Sequence, residues 1–146
     1  MSNDAGGLPD DYHLQRLRRN WDQSHMAKTM GMWLINAAEG TATLGALASE
    51  AYYNPQLRAH GGFAAALIDS AMGCAIFTKL PQEVGYGTID LNVKFVRKLD
   101  ESAGPLSCVG TVIHAGRSMF TAEAHLTGAD GKLYAHGSGT FLIYPS

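Results

Sequence analysis

The stretch GGFAAALIDSAMGCAIFTKL, residues 61–80, decides the fold because it is long, apolar and nearly free of charge. Asp69 is its only carboxylate, Lys79 stands near its end, and Pro81 follows it. This pattern predicts one long helix over the whole stretch. A helix that is apolar on all sides needs cover on all sides, so it belongs in a protein core. A membrane span is disfavoured, since a carboxylate at mid-span costs about 2.5–3.5 kcal/mol.

The segments on both sides of this helix predict β-strands. Upstream, the apolar residues 32–38 end in Glu39-Gly40 and precede a hairpin partner over residues 41–48. Residues 50–60 contain Asn-Pro without periodicity and predict a loop. Residues 88–97 alternate, with Ile89, Leu91, Val93 and Phe95 on one face and Asp90, Asn92 and Lys94 on the other. Three further strands are predicted over residues 106–113, 119–127 and 133–144.

The N-terminal residues have a different pattern. Residues 1–10 are polar and predict a loose leader, and residues 11–30 predict an amphipathic helix. Its basic residues, Arg16, Arg18 and Arg19, are interpreted as a solvated helix face. We therefore divide the chain into a leader with its helix, residues 1–30, and one domain over residues 31–146.

The composition excludes several classes of protein. Charged residues make up 16% of the chain, against about 25% in a typical soluble protein, which predicts that a subunit interface covers part of the surface. The net charge of −2 argues against a nucleic-acid partner. Two isolated cysteines predict neither a disulfide scaffold nor a metal site. The acidic, polar N-terminus is unlike a signal peptide, so we expect cytoplasmic residence.

The order of elements predicts an α+β fold. A helix and two strands precede the long helix, and four meandering strands follow it. A single antiparallel sheet wrapped around the long helix satisfies this order and covers the apolar helix. This arrangement is the hotdog fold. Dimerisation would cover the second face of the sheet and its edge.

Asp69 is the most informative residue, because a carboxylate inside an apolar helix is costly unless it is hydrogen-bonded. One interpretation is a structural carboxylate that hydrogen-bonds Ser70, a threonine or the backbone. The other is a desolvated base or nucleophile.

The sequence His60-Gly61-Gly62 opens the same helix. Glycines there let a ligand approach the free backbone N–H groups, where the helix dipole favours negative charge, although they also suit a simple helix entry. Gly61 and Asp69 are eight residues apart, roughly 12 Å along a helix. One substrate carbonyl could meet both only if they came from two subunits packed across a two-fold axis.

Three motifs together resemble a known family. They are NPQLRAHGG over residues 54–62, LIDSA over residues 67–71 and TIDLNVKF over residues 88–95. They look like the acyl-CoA thioesterases of the hotdog superfamily, above all the PaaI-type branch of the phenylacetate pathway, which is related to the 4-hydroxybenzoyl-CoA thioesterases. The resemblance covers roughly residues 25–145. The chain departs from it at Leu57, where the family usually has glycine.

The resemblance implies an acyl-CoA thioesterase acting on an aryl or a short- or medium-chain acyl-CoA. The Gly61 N–H would polarise the thioester carbonyl, and Asp69 of the facing chain would attack it or activate a water. Asn54 would hold the water or the carboxylate, and Thr88 would orient the water beside Asp69. His60 would be a structural, site-lining residue. The family also implies a homodimer that forms the sites, and a tetramer of two dimers.

Coenzyme A belongs to the substrate, so neither a cofactor nor a metal is expected. Its phosphates call for cations, and Arg97 lies where related enzymes place a phosphate-binding arginine. Lys98 beside it, and Arg117-Ser118 after a predicted turn, are further candidates, although ordinary strand-end charge explains them as well. Gly62 is expected to line the site.

Three alternatives remain open. A hotdog hydratase would pair a histidine with the carboxylate, and His60 is the only candidate for it. A non-catalytic acyl-CoA binding module would need a further domain. A hotdog scaffold that has lost its activity is disfavoured by the set Asn54, Gly61, Asp69 and Thr88.

Overall fold

A curved antiparallel sheet surrounds one long helix in the computed structural model, which describes residues 8–144. In chain order the elements are α1 (Tyr12–Trp21), α2 (His25–Thr29), β1 (Trp33–Ala38), β2 (Thr41–Ala46), α3 (Gly61–Phe77), β3 (Gly85–Phe95), β4 (Leu106–Ala115), β5 (Met119–Thr127) and β6 (Leu133–Tyr144). The predicted hotdog fold is confirmed. Most of the predicted leader over residues 1–10 lies outside the described residues.

Helix α3 is the core of the molecule. Its buried residues include Leu67, Ile68, Ala71, Met72 and Ile76, which pack against the inner face of the sheet. Gly110 on β4 permits this approach, since a Cβ there would lie 2.2 Å from the Ala71 carbonyl oxygen. The helix ends three residues before the predicted Leu80, where the Thr78 hydroxyl donates to the Ala75 carbonyl at 2.6 Å. No helix within residues 8–144 is both long and apolar enough to cross a bilayer.

The order of strands corrects the prediction of a C-terminal meander. The sheet order is β1-β2-β4-β5-β6-β3, so β3 pairs with β6 instead of its sequence neighbour β4. The hairpin β1–β2 takes the place beside β4, with Thr41 opposite Thr111 and Ala46 opposite Leu106. Periodicity identifies each strand but carries no information about its neighbour, which explains the error.

A β-bulge also corrects the predicted alternation along β3. The register shifts between Thr88, opposite Phe141, and Asp90, opposite Thr140, so Ile89 is the extra residue. Val93 lies opposite Gly137, whose Cβ would touch Ile68 of α3, so Val93 faces inward. Strict alternation would place Thr88 on the outer face, whereas the bulge turns it inward.

The N-terminal segment forms two short helices instead of the single helix predicted over residues 11–30. Arg16 is buried, which corrects its interpretation as part of a solvated face. Its guanidinium lies 4.5 Å from the centre of the Phe77 ring and donates to the Leu80 carbonyl at 3.0 Å. It therefore joins α1 to the C-terminal end of α3. Arg18 and Arg19 are exposed, as expected.

Candidate active site

The Asp69 carboxylate on α3 meets the Thr88 hydroxyl on β3. Thr88 Oγ1 donates to Asp69 Oδ1 at 2.7 Å. The bulge at Ile89 makes this contact possible, because it turns Thr88 toward the helix. Asp69 is half-buried in the single chain, so the carboxylate can still meet a substrate.

A cleft of about 370 Å³ opens beside these two residues. Its walls include Trp21 and Met26 from the N-terminal helices, together with Tyr86 and Cys74. Burial raises the pKa of the Cys74 thiol to about 12. Burial, assisted by Cys74 and Asp69, also raises the pKa of Tyr86. Both groups are therefore neutral near pH 7, and the cleft presents a mostly uncharged wall to the carboxylate.

The N-terminus of α3 is built around His60. Its Nδ1 accepts from the Gly62 N–H at 2.8 Å, and its carbonyl accepts from the Phe63 N–H at 2.9 Å. An accepting Nδ1 carries no proton, so the ring proton belongs on Nε2. The Gly61 N–H has no acceptor among residues 8–144. One donor at the positive end of the helix is thus left for a ligand.

A second cleft, of about 330 Å³, contains Gly61. Phe95 covers part of it, since a Cβ on Gly61 would lie 3.2 Å from the tip of that ring. Arg58, Arg97 and Lys98 also line this cleft. Sequence reasoning singled out Arg97 and Lys98 but missed Arg58. The sequence feature that could have identified Arg58 as a cleft residue is its position directly before Ala59-His60.

The loop before α3 keeps Asn54 in a tight turn. Asn54 Oδ1 accepts from the Gln56 N–H at 3.0 Å, and the Asn54 N–H donates to the Arg58 carbonyl at 2.8 Å. Leu57 has a φ of 59°, a left-handed conformation that favours glycine. The residue that departs from the family pattern therefore adopts a backbone conformation suited to the usual glycine.

The remaining predicted residues lie elsewhere. Arg117 and Ser118 occupy the turn between β4 and β5, where the Ser118 carbonyl accepts from the Ile143 N–H at 2.8 Å. Neither lines the cleft that holds Gly61 and Arg97. Within residues 8–144, no three His, Cys, Asp or Glu side chains are grouped to hold a metal ion.

The two clefts contain different reactive groups. Asp69 with Thr88 can supply a base or a nucleophile, whereas the Gly61 N–H can stabilise a developing oxyanion. In one chain these groups line different clefts, roughly 12 Å apart along α3 by helix rise.

Comparisons with known proteins identify the family. A family model described as the thioesterase superfamily matches residues 58–135, which is more than half of the chain. The protein therefore belongs to the thioesterase superfamily. A solved member of that superfamily is 32% identical with a TM-score of 0.80, over 90% of this chain and 98% of that chain.

Two further proteins extend the comparison. The E. coli PaaI protein from the phenylacetic acid degradation operon shares the fold, with a TM-score of 0.86 at 19% identity over 96% of this chain and 98% of that one. A Halobacterium salinarum protein named "putative esterase" is 36% identical over 93 residues, or 58% of this chain. The match spans 60% of that curated relative.

Proposed function

We propose that this protein is an acyl-CoA thioesterase that hydrolyses an aryl or a short- or medium-chain acyl-CoA at sites shared between two subunits. One observation carries the proposal. Each chain presents a carboxylate with a hydroxyl partner in one cleft, and in another a helix N–H that donates to no acceptor among residues 8–144. Each chain would thus hold two half-sites. A two-fold axis that pairs antiparallel α3 helices would complete two sites per dimer.

In the proposed mechanism, the thioester carbonyl oxygen accepts a hydrogen bond from Gly61 of one subunit. Asp69 of the other subunit either attacks the carbonyl carbon or removes a proton from an attacking water held by Thr88 and Asn54. The Gly61 N–H stabilises the oxyanion that develops. The C–S bond then breaks, and the thiolate of coenzyme A leaves. On the general-base route, Asp69 returns the proton it took from the water to the thiolate, and the free acid is released. On the nucleophilic route, a water hydrolyses the anhydride formed on Asp69, which releases the acid, restores the carboxylate and supplies the proton that the thiolate takes up. The thiolate is a fair leaving group, so one carboxylate and one oxyanion donor suffice.

The free edge of the sheet supports the proposed dimer. Strand β3 lies at the edge, and Ile89, Leu91, Phe95 and Val96 expose between 41% and 60% of their surface there. A long apolar edge strand is an aggregation hazard unless another chain covers it. Since β3 carries Thr88, pairing at this edge would bring a second chain close to the Asp69 cleft. We further expect a tetramer of two dimers and a cytoplasmic location.

Thiol release from a panel of acyl-CoAs tests the function. The panel contains phenylacetyl-, benzoyl-, short-chain and medium-chain acyl-CoA, with Asp69→Asn beside the wild type. We expect release from at least one substrate and a loss of about 10²-fold or more in the variant, because the amide is nearly isosteric but uncharged. Tight coenzyme A binding without release would favour the binding module. Hydration of crotonyl-CoA would favour the hydratase.

Gly61→Pro tests the oxyanion donor with little change to the helix. Proline lacks the N–H and is well tolerated at the first helical position. His60 already has φ −58° and ψ 139°, which suits a residue before proline. We expect kcat to fall about 10²-fold, whereas Gly61→Ala, which keeps the N–H but adds the same Cβ, retains most activity. Equal losses in both variants would point to steric damage near Phe95 instead.

Mixing two inactive variants tests whether the site is shared. An equal mixture of Gly61→Pro and Asp69→Asn, unfolded and refolded together, forms mixed dimers with one intact site. We expect roughly a quarter of the wild-type activity to return, since half of the dimers are mixed and each has one working site. No recovery, with mixed dimers verified by differential tagging, would place both groups of each site in one subunit.

A further inference from the structure

A third cleft, of about 440 Å³, adjoins the Asp69 cleft beneath the N-terminal helices. The two clefts have four wall residues in common, Trp21, Ser24, Cys74 and Tyr86, so they join into one groove. Beyond these shared walls, the groove is lined by residues of α1, of the end of α3 and of the loop after it, which include Leu17, Asn20, Phe77 and Gln82. The chemistry proposed for Asp69 uses none of them.

The groove follows α3 away from the carboxylate. Asp69 lies at one end, and Phe77, eight residues later, lies at the other. Eight residues span roughly 12 Å along a helix. An extended chain advances roughly 1.2 Å per bond, so this length holds about ten carbons. A benzoyl or phenylacetyl group is shorter and would end within the Asp69 cleft, before it reaches Asn20 or Gln82.

The walls of the groove suit a hydrocarbon chain. Trp21, Leu17 and Phe77 supply apolar surface. Burial raises the pKa of Cys74 and of Tyr86, so both groups are neutral near pH 7. Among the described residues that line the third cleft, none is Asp, Glu, Lys or Arg. Methylene groups placed here would lose their contact with water without displacing a charge, which favours binding in proportion to the area buried.

The roof of this groove is fixed by the fold itself. Arg16 of α1 donates to the Leu80 carbonyl at 3.0 Å. The Tyr52 hydroxyl donates to the carbonyl of Thr29, the last residue of α2, at 3.1 Å. These two contacts hold both N-terminal helices against the rest of the chain. A groove with a fixed roof loses little conformational entropy when a ligand binds in it.

We propose that this groove holds the acyl chain of the substrate, and that the protein prefers a linear medium-chain acyl-CoA to an aryl one. This proposal rests on the proposed function and narrows its substrate class. The carbonyl carbon would lie beside Asp69, the next carbons between Trp21 and Tyr86, and the end of the chain near Asn20 and Gln82. The first pair then sets the width of the passage, and the second pair sets the longest chain that fits.

Calorimetric binding of S-alkyl thioethers of coenzyme A tests the proposal without catalysis, because a thioether has no carbonyl to hydrolyse. The series runs from S-butyl to S-dodecyl, and S-phenethyl-coenzyme A is its aryl member. We expect the affinity to rise about 3-fold for each added methylene up to roughly ten carbons, as for burial of a methylene group, and then to level off. The S-decyl thioether should bind more tightly than the S-phenethyl one.

Tryptophan substitutions that fill the outer part of the groove locate the bound chain. Asn20→Trp should weaken S-decyl binding about 10-fold or more, because it excludes several methylenes, and should leave S-butyl binding unchanged. Its matched control is Arg19→Trp, which adds the same side chain at the exposed neighbouring position and should change neither. Gln82→Trp fills the same space from the loop after α3, with the exposed Glu83 as the control position. It keeps the test decisive should Asn20→Trp not fold.

Several results would overturn the proposal. They are equal affinities for S-butyl and S-decyl thioethers, tighter binding of S-phenethyl than of S-decyl, and S-decyl binding that the Asn20 and Gln82 variants leave unchanged or weaken no more than S-butyl binding. A wild type that binds no thioether would overturn it as well. Failure of the proposed function gives a different result. A protein that shows this chain-length dependence but releases no thiol keeps the acyl groove and loses the enzymatic activity, whereas release from aryl substrates alone does the reverse.

Discussion

At the scale of single residues, Leu57 adopts a conformation that its side chain opposes. Its φ is 59° and 72% of its surface is exposed, so its side chain gains little from packing. A left-handed conformation costs a non-glycine residue about 1–2 kcal/mol. The turn that Asn54 stabilises, with its hydrogen bonds to Gln56 and Arg58, holds this conformation in place.

Leu57→Gly should therefore stabilise the protein. We expect the free energy of unfolding to rise by about 0.5–1 kcal/mol, because relief of strain exceeds the added entropy of the unfolded chain. Urea denaturation measures it. Leu47→Gly is the matched control, since Leu47 is also exposed and has an ordinary φ, and it should lower stability. A loss of stability in Leu57→Gly would mean that its side chain packs against another subunit.

The Thr88 hydroxyl offers a second prediction at this scale. Thr88→Val keeps the shape but removes the donor to Asp69, and we expect kcat for the best acyl-CoA to fall about 10-fold, as for a hydrogen bond to a partly exposed charged group. Thr88→Ser keeps the donor and should retain most of the rate. Steady-state kinetics distinguish the two variants. Similar kcat values for Thr88→Val and Thr88→Ser would show that the Thr88 hydroxyl takes no part in the mechanism.

At the scale of elements, the contact between α1 and the end of α3 depends on one arginine. The Arg16 guanidinium stacks on Phe77 and donates to the Leu80 carbonyl, near the C-terminus of α3, where the helix dipole favours a cation. This contact fixes the N-terminal helices, and through Trp21 and Met26 it supports one wall of the Asp69 cleft.

Arg16→Gln should lower the free energy of unfolding by about 2–3 kcal/mol, through loss of a buried charged hydrogen bond and a cation–π contact. Arg18→Gln on the exposed face of the same helix should change it by less than about 0.5 kcal/mol. Chemical denaturation of both variants checks the difference. Equal effects of the two substitutions would mean that Arg16 is solvated, as the sequence predicted, and that this contact does not stabilise the fold.

At the scale of the whole molecule, the low charge and the exposed apolar edge of β3 both support the proposed subunit interface. A carboxylate on this edge would have to lose its water on pairing, which opposes association. Leu91→Asp should therefore produce a folded monomer that releases no thiol, because each chain would then hold only half of a site.

Light scattering during gel filtration and thiol release check this prediction. Leu47→Asp is the control, since Leu47 is 49% exposed and directly follows β2, a strand that does not adjoin β3. It should preserve the dimer and its activity. A Leu91→Asp monomer that remains active would argue against a shared site.

The sequence by itself determined the central helix, the six strands and the thioesterase resemblance, because periodicity and short motifs are local properties of the chain. It also singled out Asp69 and the two glycines that open α3 by residue type and spacing. Tertiary structure decided what depends on contacts between distant segments. The pairing of β3 with β6 set the sheet order. The bulge at Ile89 turned Thr88 toward Asp69, and packing on Phe77 buried Arg16. Arg58 stood out only after folding placed it beside Arg97 and Lys98 in the cleft that contains Gly61, a property of the assembled cleft that no local pattern encodes.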